Sequence, residues 1–206
     1  NNAKLPPPCC KIRTILAWYK VNCKVVEGKK PGSEYKKVPV LVTHNRQIND
    51  SYIMVIALAP ILDGVQLTKE MIEIEEMTTY GLMIALELEV VGSCTALISC
   101  APSFGCPLGC VVASCACIIC CVGPGRLRKA NPELKGLEHY TKAYTNCLGA
   151  KQYFHGDKPG IIDVSICGVL APFVHSGHNS VNKFLGSSGP LFEWYNKMKP
   201  NLPKIF

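Results

Sequence analysis

Strand-like runs stop early in this chain. All of them lie before residue 50, and from Leu67 onward the apolar residues recur with a helical period. That partition predicts a small α/β half over residues 1–64 and an all-helical half over 65–206, with the boundary near Asp63 to Leu67. In the first half, Ile12, Ile15, Leu16 and Tyr19 follow the i, i+3, i+4, i+7 pattern, and Pro6, Pro7 and Pro8 stand where proline suits a helix entrance. Cys23 to Glu27 reads as a short strand, ended by Gly28 and the turn Lys29 to Gly32. Val38 to Val42 reads as a second strand with a proline near its start. His44 to Arg46 turns the chain into a third strand, Gln47 to Asn49, after which Asp50 or Ser51 can cap a helix over Tyr52 to Leu62.

The second half reads as helix throughout. Thr68 to Glu89 is rich in Glu, Met and Leu and predicts one long helix. Glu133 to Leu148, Ile161 to Val174 and Leu191 to Lys199 predict three more. Gly123-Pro124-Gly125 and Gly186 to Pro190 read as loops between helices, without the lysine of a phosphate loop. At 48% hydrophobic the chain can bury a core, which excludes global disorder. Its net charge of +7 is dispersed, and the densest local sign is negative, at Glu70, Glu73, Glu75 and Glu76. That cluster argues against a continuous basic face for nucleic acid.

Val90 to Gly125 contains no charged residue and holds eight of the thirteen cysteines. An odd total cannot pair completely within one chain, and a core of this size needs no staples, so a reducing compartment is expected. Asn1 to Leu5 lacks the basic-then-apolar layout of a signal peptide. Cys106, Cys110, Cys117 and Cys121 would share one helical face. Only Cys117 and Cys120 have the C-x-x-C spacing of a metal site, with no histidine near, so the cysteines are expected to pack as small apolar residues. Pro102 and Pro107 leave Leu108 to Gly123 as the longest proline-free part, 16 residues or ~24 Å of helix. A membrane span needs ~20 apolar residues, so a buried bundle helix is expected, with peripheral membrane contact near Arg126 to Lys129 as second choice. His155, His175 and His178 read as surface-loop histidines, and Tyr19, Tyr35 and Tyr52 are candidates to activate a thiol.

Five short segments carry a resemblance. Lys37-Val38-Pro39-Val40-Leu41 is similar to K-V-P-I-L, Gln47-Ile48-Asn49-Asp50-Ser51 to Q-L-N-D-S, and Cys23 to Glu27 to Y-Q-V-V-E. In the helical half, Lys158 to Asp163 and Gly168-Val169-Leu170 parallel K-P-N-L-A-D and G-V-L. These are motifs of the glutathione-transferase superfamily, in its membrane-associated prostaglandin E synthase type 2 family. The resemblance covers roughly residues 6–62 and 126–199 and is weak or absent across 70–125. It implies an α/β thioredoxin-like N-terminal domain followed by an all-α helical-bundle domain.

It also implies a site. The proline of V-P is cis in that fold and turns the preceding backbone, Val38 beside Pro39, toward the cysteinyl part of glutathione. Asp50 and Ser51, at a helix start, would receive the γ-glutamyl end. The family's first helix opens on C-P-x-C with the first cysteine reactive, but Pro6 falls on that position and Cys9 on the second. Cys9 is the stand-in nucleophile, at a helix start that favours thiolate; the other reading is a proline-rich entrance with two packed cysteines. Asp163 would be the family's buried helix-capping aspartate, with Gly160 at the cap supplying only half of a capping box.

The activity so implied is a glutathione- or thiol-dependent isomerisation of prostaglandin H2 to prostaglandin E2 in an apolar cleft between the halves. Its cofactors would be glutathione and, with it, haem; its partners, a small apolar peroxide-type substrate and a second copy of the chain. The implied location is cytoplasmic or peripheral on an intracellular, Golgi-type membrane. Because Pro6 replaces the first cysteine, a non-catalytic binding or membrane-surface protein is the alternative.

Overall fold

The computed structural model describes residues 6–26, 32–44, 46–100 and 108–204. Helix α1 spans Pro7–Trp18, with Pro7 and Pro8 in the first turn, where backbone N–H groups have no helical partner anyway. It buries Ile12, Ile15 and Leu16, as their spacing predicts. Strands β1, Val40–Thr43, and β2, Arg46–Asn49, form an antiparallel hairpin in which Val40 faces Asn49 and Thr43 faces Arg46. Helix α2, Ser51–Leu62, follows at once, capped by Asp50, whose carboxylate accepts from the Tyr52 N–H at 2.8 Å.

The strand expected over 23–27 is not formed at Cys23 to Val26. Val25 and Val26 stand largely exposed, so burial does not pull them against a neighbour. Glu27, Gly28 and residues 29–31 of the expected turn lie outside the described residues. Among the described residues the sheet therefore has two strands. The chain is mostly helical with this small antiparallel sheet, and the helical half begins after Leu67.

The long helix expected over 68–89 is divided. Helix α3, Lys69–Met77, passes through a π-helical turn, Thr78–Leu82, into α4, Met83–Val91. The charge-free stretch forms α5, Cys94–Cys100, and α6, Leu108–Ser114, and then enters α7, Ala116–Ala130. Gly123-Pro124-Gly125 is thus helix rather than loop, with Pro124 inside α7. The other elements are α8, Leu137–Leu148; α9, Ile161–His175; α10, Ser180–Leu185; and α11, Pro190–Met198. The helix α10 is not foreshadowed by the apolar pattern. Among the described residues no helix is long and apolar enough to cross a membrane.

Helix α9 is the axis of the core. Every residue from Ile161 to Leu170 is buried. Helix α1 lies against it, and Gly168 permits the approach: a Cβ there would come within 2.7 Å of the Lys11 Cα. At the base of α9, Asp163 is fully buried and accepts four N–H groups. Its Oδ1 takes Phe154 N and Trp194 Nε1, each at 2.8 Å; its Oδ2 takes His155 N and Gly160 N, each at 3.1 Å. The half capping box is present, but Asp163 is a hub rather than a weak cap. Burial pushes its carboxyl upward, opposed by those four donors.

Candidate functional site

Cys9 sits half-buried in the first turn of α1. Burial pushes its thiol up to about 11, and the Arg13 guanidinium, one helical turn on, opposes the rise. The direction is opposite to the depression expected at a helix start, with desolvation as the larger cause and Arg13 offsetting only part of it. Cys10, fully buried beside it, is pushed up to about 12, mainly by burial. Arg13 is a neighbour of the thiol that spacing could have revealed, since residues 9 and 13 share a helix face.

Below Cys10 lies a polar network within the core. Lys11 and Glu75 are both fully buried and paired at 2.7 Å. Lys11 also donates to Thr79 Oγ1 at 2.6 Å, Thr79 donates to Glu75 Oε1 at 2.9 Å, and Ser165 donates to Glu75 Oε2 at 2.6 Å. Four side chains from α1, α3, the π turn and α9 thus satisfy one another, which is the condition for burying charge. Glu75 is not part of a solvated acidic face, as its sequence neighbours suggested. Its partner is 64 residues away, so no local pattern could reveal it.

The other expected site residues gather at the hairpin. The Val38-Pro39 peptide bond is cis, and both residues are half-buried. The Val38 N–H and C=O have no backbone partner among the described residues. The hairpin leads directly to Asp50, held at φ +67°, and to the buried Ser51. Three tyrosines surround this corner. The Asp50 carboxylate lies near the phenols of Tyr80 and Tyr35, and Tyr52 stacks at a tilt on Tyr80 with ring centroids 5.6 Å apart. Burial, followed by nearby carboxylates, raises all three phenols. None is thereby made a base for a thiol. Tyr19 donates to Asp63, which also accepts Ile161 N at 2.8 Å.

An open cleft of about 490 Å³ adjoins this corner, lined by Glu73, Glu76, Met77, Tyr80, Leu134 and Tyr140 among others. It lies within the helical half rather than between halves; its rim is acidic, and Cys9 does not line it. Tyr80, stacked on Tyr52, joins the cleft to this corner.

His155 is not a surface histidine. It is 15% exposed, its Nε2 lies 3.7 Å from Asp63 Oδ2, and its Nδ1 has no partner among the described residues. His178 accepts the Ser180 N–H, and burial lowers it. The cysteines of the charge-free stretch also depart from expectation: Cys110, Cys117 and Cys121 are exposed, and Cys106 lies outside the described residues. Among the described residues no group of three or more His, Cys, Asp or Glu side chains is arranged to hold a metal ion. No protein-family model matches the chain, and no curated protein matches it.

Proposed function

We propose that this chain is a glutathione-transferase-like protein that binds glutathione at Val38, Pro39, Asp50 and Ser51. Its hairpin half would be the thioredoxin-like part of the fold, and residues from Leu67 onward the helical bundle. The observation that supports this best is the sequence of features at one corner: a cis Val38-Pro39 bond, a tight hairpin, and an Asp50-capped helix with Ser51 at its first position. Free backbone groups at Val38 suit the cysteinyl backbone of the ligand, and the α2 N-terminus suits its γ-glutamyl carboxylate. The Asp50 carboxylate, whose charge helps raise the Tyr80 phenol, suits the ligand's ammonium group.

The activity proposed on that binding site is isomerisation of an endoperoxide of the prostaglandin H2 type to prostaglandin E2. Cys9 would supply the thiolate, with Arg13 stabilising it. Sulfur–oxygen bond formation breaks the O–O bond, and the second oxygen takes a proton. Loss of the proton on the carbon bearing the sulfur-linked oxygen forms the ketone and returns the thiolate. The sum is an isomerisation without an external oxidant. With the Cys9 thiol raised by burial, slow turnover is the expected character of the activity. Haem enters only through the resemblance and with glutathione.

Titration calorimetry of the reduced protein with glutathione tests the reading, beside Asp50→Ala and Cys9→Ser. Binding in the parent, loss in Asp50→Ala and retention without turnover in Cys9→Ser is the expected pattern. Absence of heat and of any thermal shift at millimolar glutathione would overturn it.

A second reading has its own observation. Ile98, Val111, Ile118 and Val122 are exposed on α5, α6 and the first part of α7, and Arg126, Arg128 and Lys129 follow on α7. That pairing of apolar and basic residues suits the surface of an anionic membrane. Flotation with phosphatidylserine vesicles tests it, and protein left at the bottom of the gradient would end it.

A further inference from the structure

The exposed cysteines leave one pair unexplained by packing. Cys94, the first residue of α5, and Cys117, in the first turn of α7, place their sulfurs 3.2 Å apart across the helix pair. Both are free thiols; Cys117 is exposed and Cys94 half-buried. A disulfide needs its sulfurs at ~2.05 Å, so closing this pair asks for an approach of about 1 Å, within side-chain rotation. Cys120 stands within hydrogen-bond reach of Cys94 but donates to the Cys117 carbonyl at 3.2 Å. It is the competing partner. Nothing else on these helices demands that two thiols meet at the surface, since free cysteine ordinarily favours burial.

We propose that Cys94 and Cys117 form a reversible redox pair that takes low-molecular-weight disulfides as its oxidant. The exposed Cys117 thiolate attacks one sulfur of the small disulfide, forming a mixed disulfide and releasing one small thiolate. Cys94, as thiolate, then attacks the Cys117 sulfur, closes the internal bond and expels the second. Two protein thiols are oxidised, one small disulfide is reduced to two thiols, and the two protein protons pass to the leaving groups. Cys94 suits the second role because its thiol is held protonated, pushed up to about 11 chiefly by its hydrogen bond with Cys117. Once Cys117 is capped, that bond is gone. In a reducing compartment such a bond is transient and senses the thiol pool rather than stapling the fold. Its structural effect is to tie α5 to α7 near the exposed Ile98 and Ile118.

The test uses the full chain and 2-hydroxyethyl disulfide, which does not engage a glutathione site, so it stands apart from the binding proposal above. Graded oxidation, acid quenching and peptide mass mapping should reveal a Cys94–Cys117 linked peptide lighter by two hydrogens. It should form before other linkages, persist in Cys120→Ser and disappear on dithiothreitol. Two results would overturn the proposal in the unmodified chain: a mixed disulfide that remains on Cys117 without closing, or a link from Cys94 to Cys120 instead. Because the deciding measurement is made on the parent protein, misfolding of a variant cannot obscure it.

Discussion

Replacing Glu75 by leucine should cost this protein more than almost any other single change. Glu75 and Lys11 are both fully inaccessible, and Glu75 accepts from Lys11, Thr79 and Ser165. Leucine would leave the Lys11 ammonium with Thr79 as its remaining partner and the Ser165 hydroxyl without its acceptor. Breaking one side of a buried ion pair costs ~3–5 kcal/mol. An orphaned buried hydroxyl adds ~1 kcal/mol. The sum, ~4–6 kcal/mol, is comparable with the whole stability of a weakly stable domain, ~5 kcal/mol. The double variant Lys11→Met with Glu75→Leu removes both charges and should return to within ~2 kcal/mol of the parent, because apolar replacement of a buried pair is often nearly neutral. Urea unfolding followed by circular dichroism gives both numbers, provided the slope m is unchanged. A loss below ~1 kcal/mol in Glu75→Leu, or a double variant as unstable as the two single changes added, would refute the burial argument.

Three further outcomes follow from other sites. With its thiol near 11, Cys9 should be about one part in 10⁴ thiolate at neutral pH, so its iodoacetamide labelling should climb about tenfold per pH unit. Arg13→Ala should slow it further; rapid labelling of Cys9 at pH 7, read by peptide mapping, would contradict the pKa. Gly168→Ala places a methyl 2.7 Å from the Lys11 Cα and should cost ~1–3 kcal/mol through overpacking of α1 on α9, measured as a fall in urea midpoint. Asp163→Asn removes one acceptor oxygen and leaves its N–H partners facing an amide NH₂. A loss of ~2–4 kcal/mol and a shift in Trp194 emission are expected, and unchanged stability would show the four bonds to be dispensable.

Local signals in the sequence located what local forces decide. Prolines at 6–8 marked the start of α1, Asp50 marked the cap of α2, and the apolar period gave α8, α9 and α11. Partnership was not legible. Cys23 to Val26 has strand-forming residues, but a strand also needs a neighbour, and side chains alone do not supply one. Glu75 looked like a surface acid because its partner comes from a helix 64 positions away. His155 looked exposed because its loop is polar, while Asp63 approaches it from the other half. Helix α10, at six residues, is too short to display a period. Of the proposed site, the order Val38, Pro39, Asp50, Ser51 could be read directly. Tyr80 could not, since it comes from the segment that turns π-helical.

That π-helical turn bears on how the gene can vary. Thr78 meets Tyr144 at 2.6 Å, Thr79 meets Lys11, and Tyr80 meets the ring of Tyr52, three consecutive residues engaged in three directions. Wider winding over Thr78–Leu82 accommodates what a single-residue insertion in an α-helix would produce. Deleting one codon there would restore even winding and, because the wide turn had absorbed the extra residue, would leave α4 facing as it does now. Leu82 and Leu86 would stay in the core, and the cost would fall on the turn itself, whose winding aims Thr78 at Tyr144 and Thr79 at Lys11. Loss of one residue from this segment should therefore come with loss of one of these contacts, whereas the loops at 64–67 and 186–189 can absorb length changes without one.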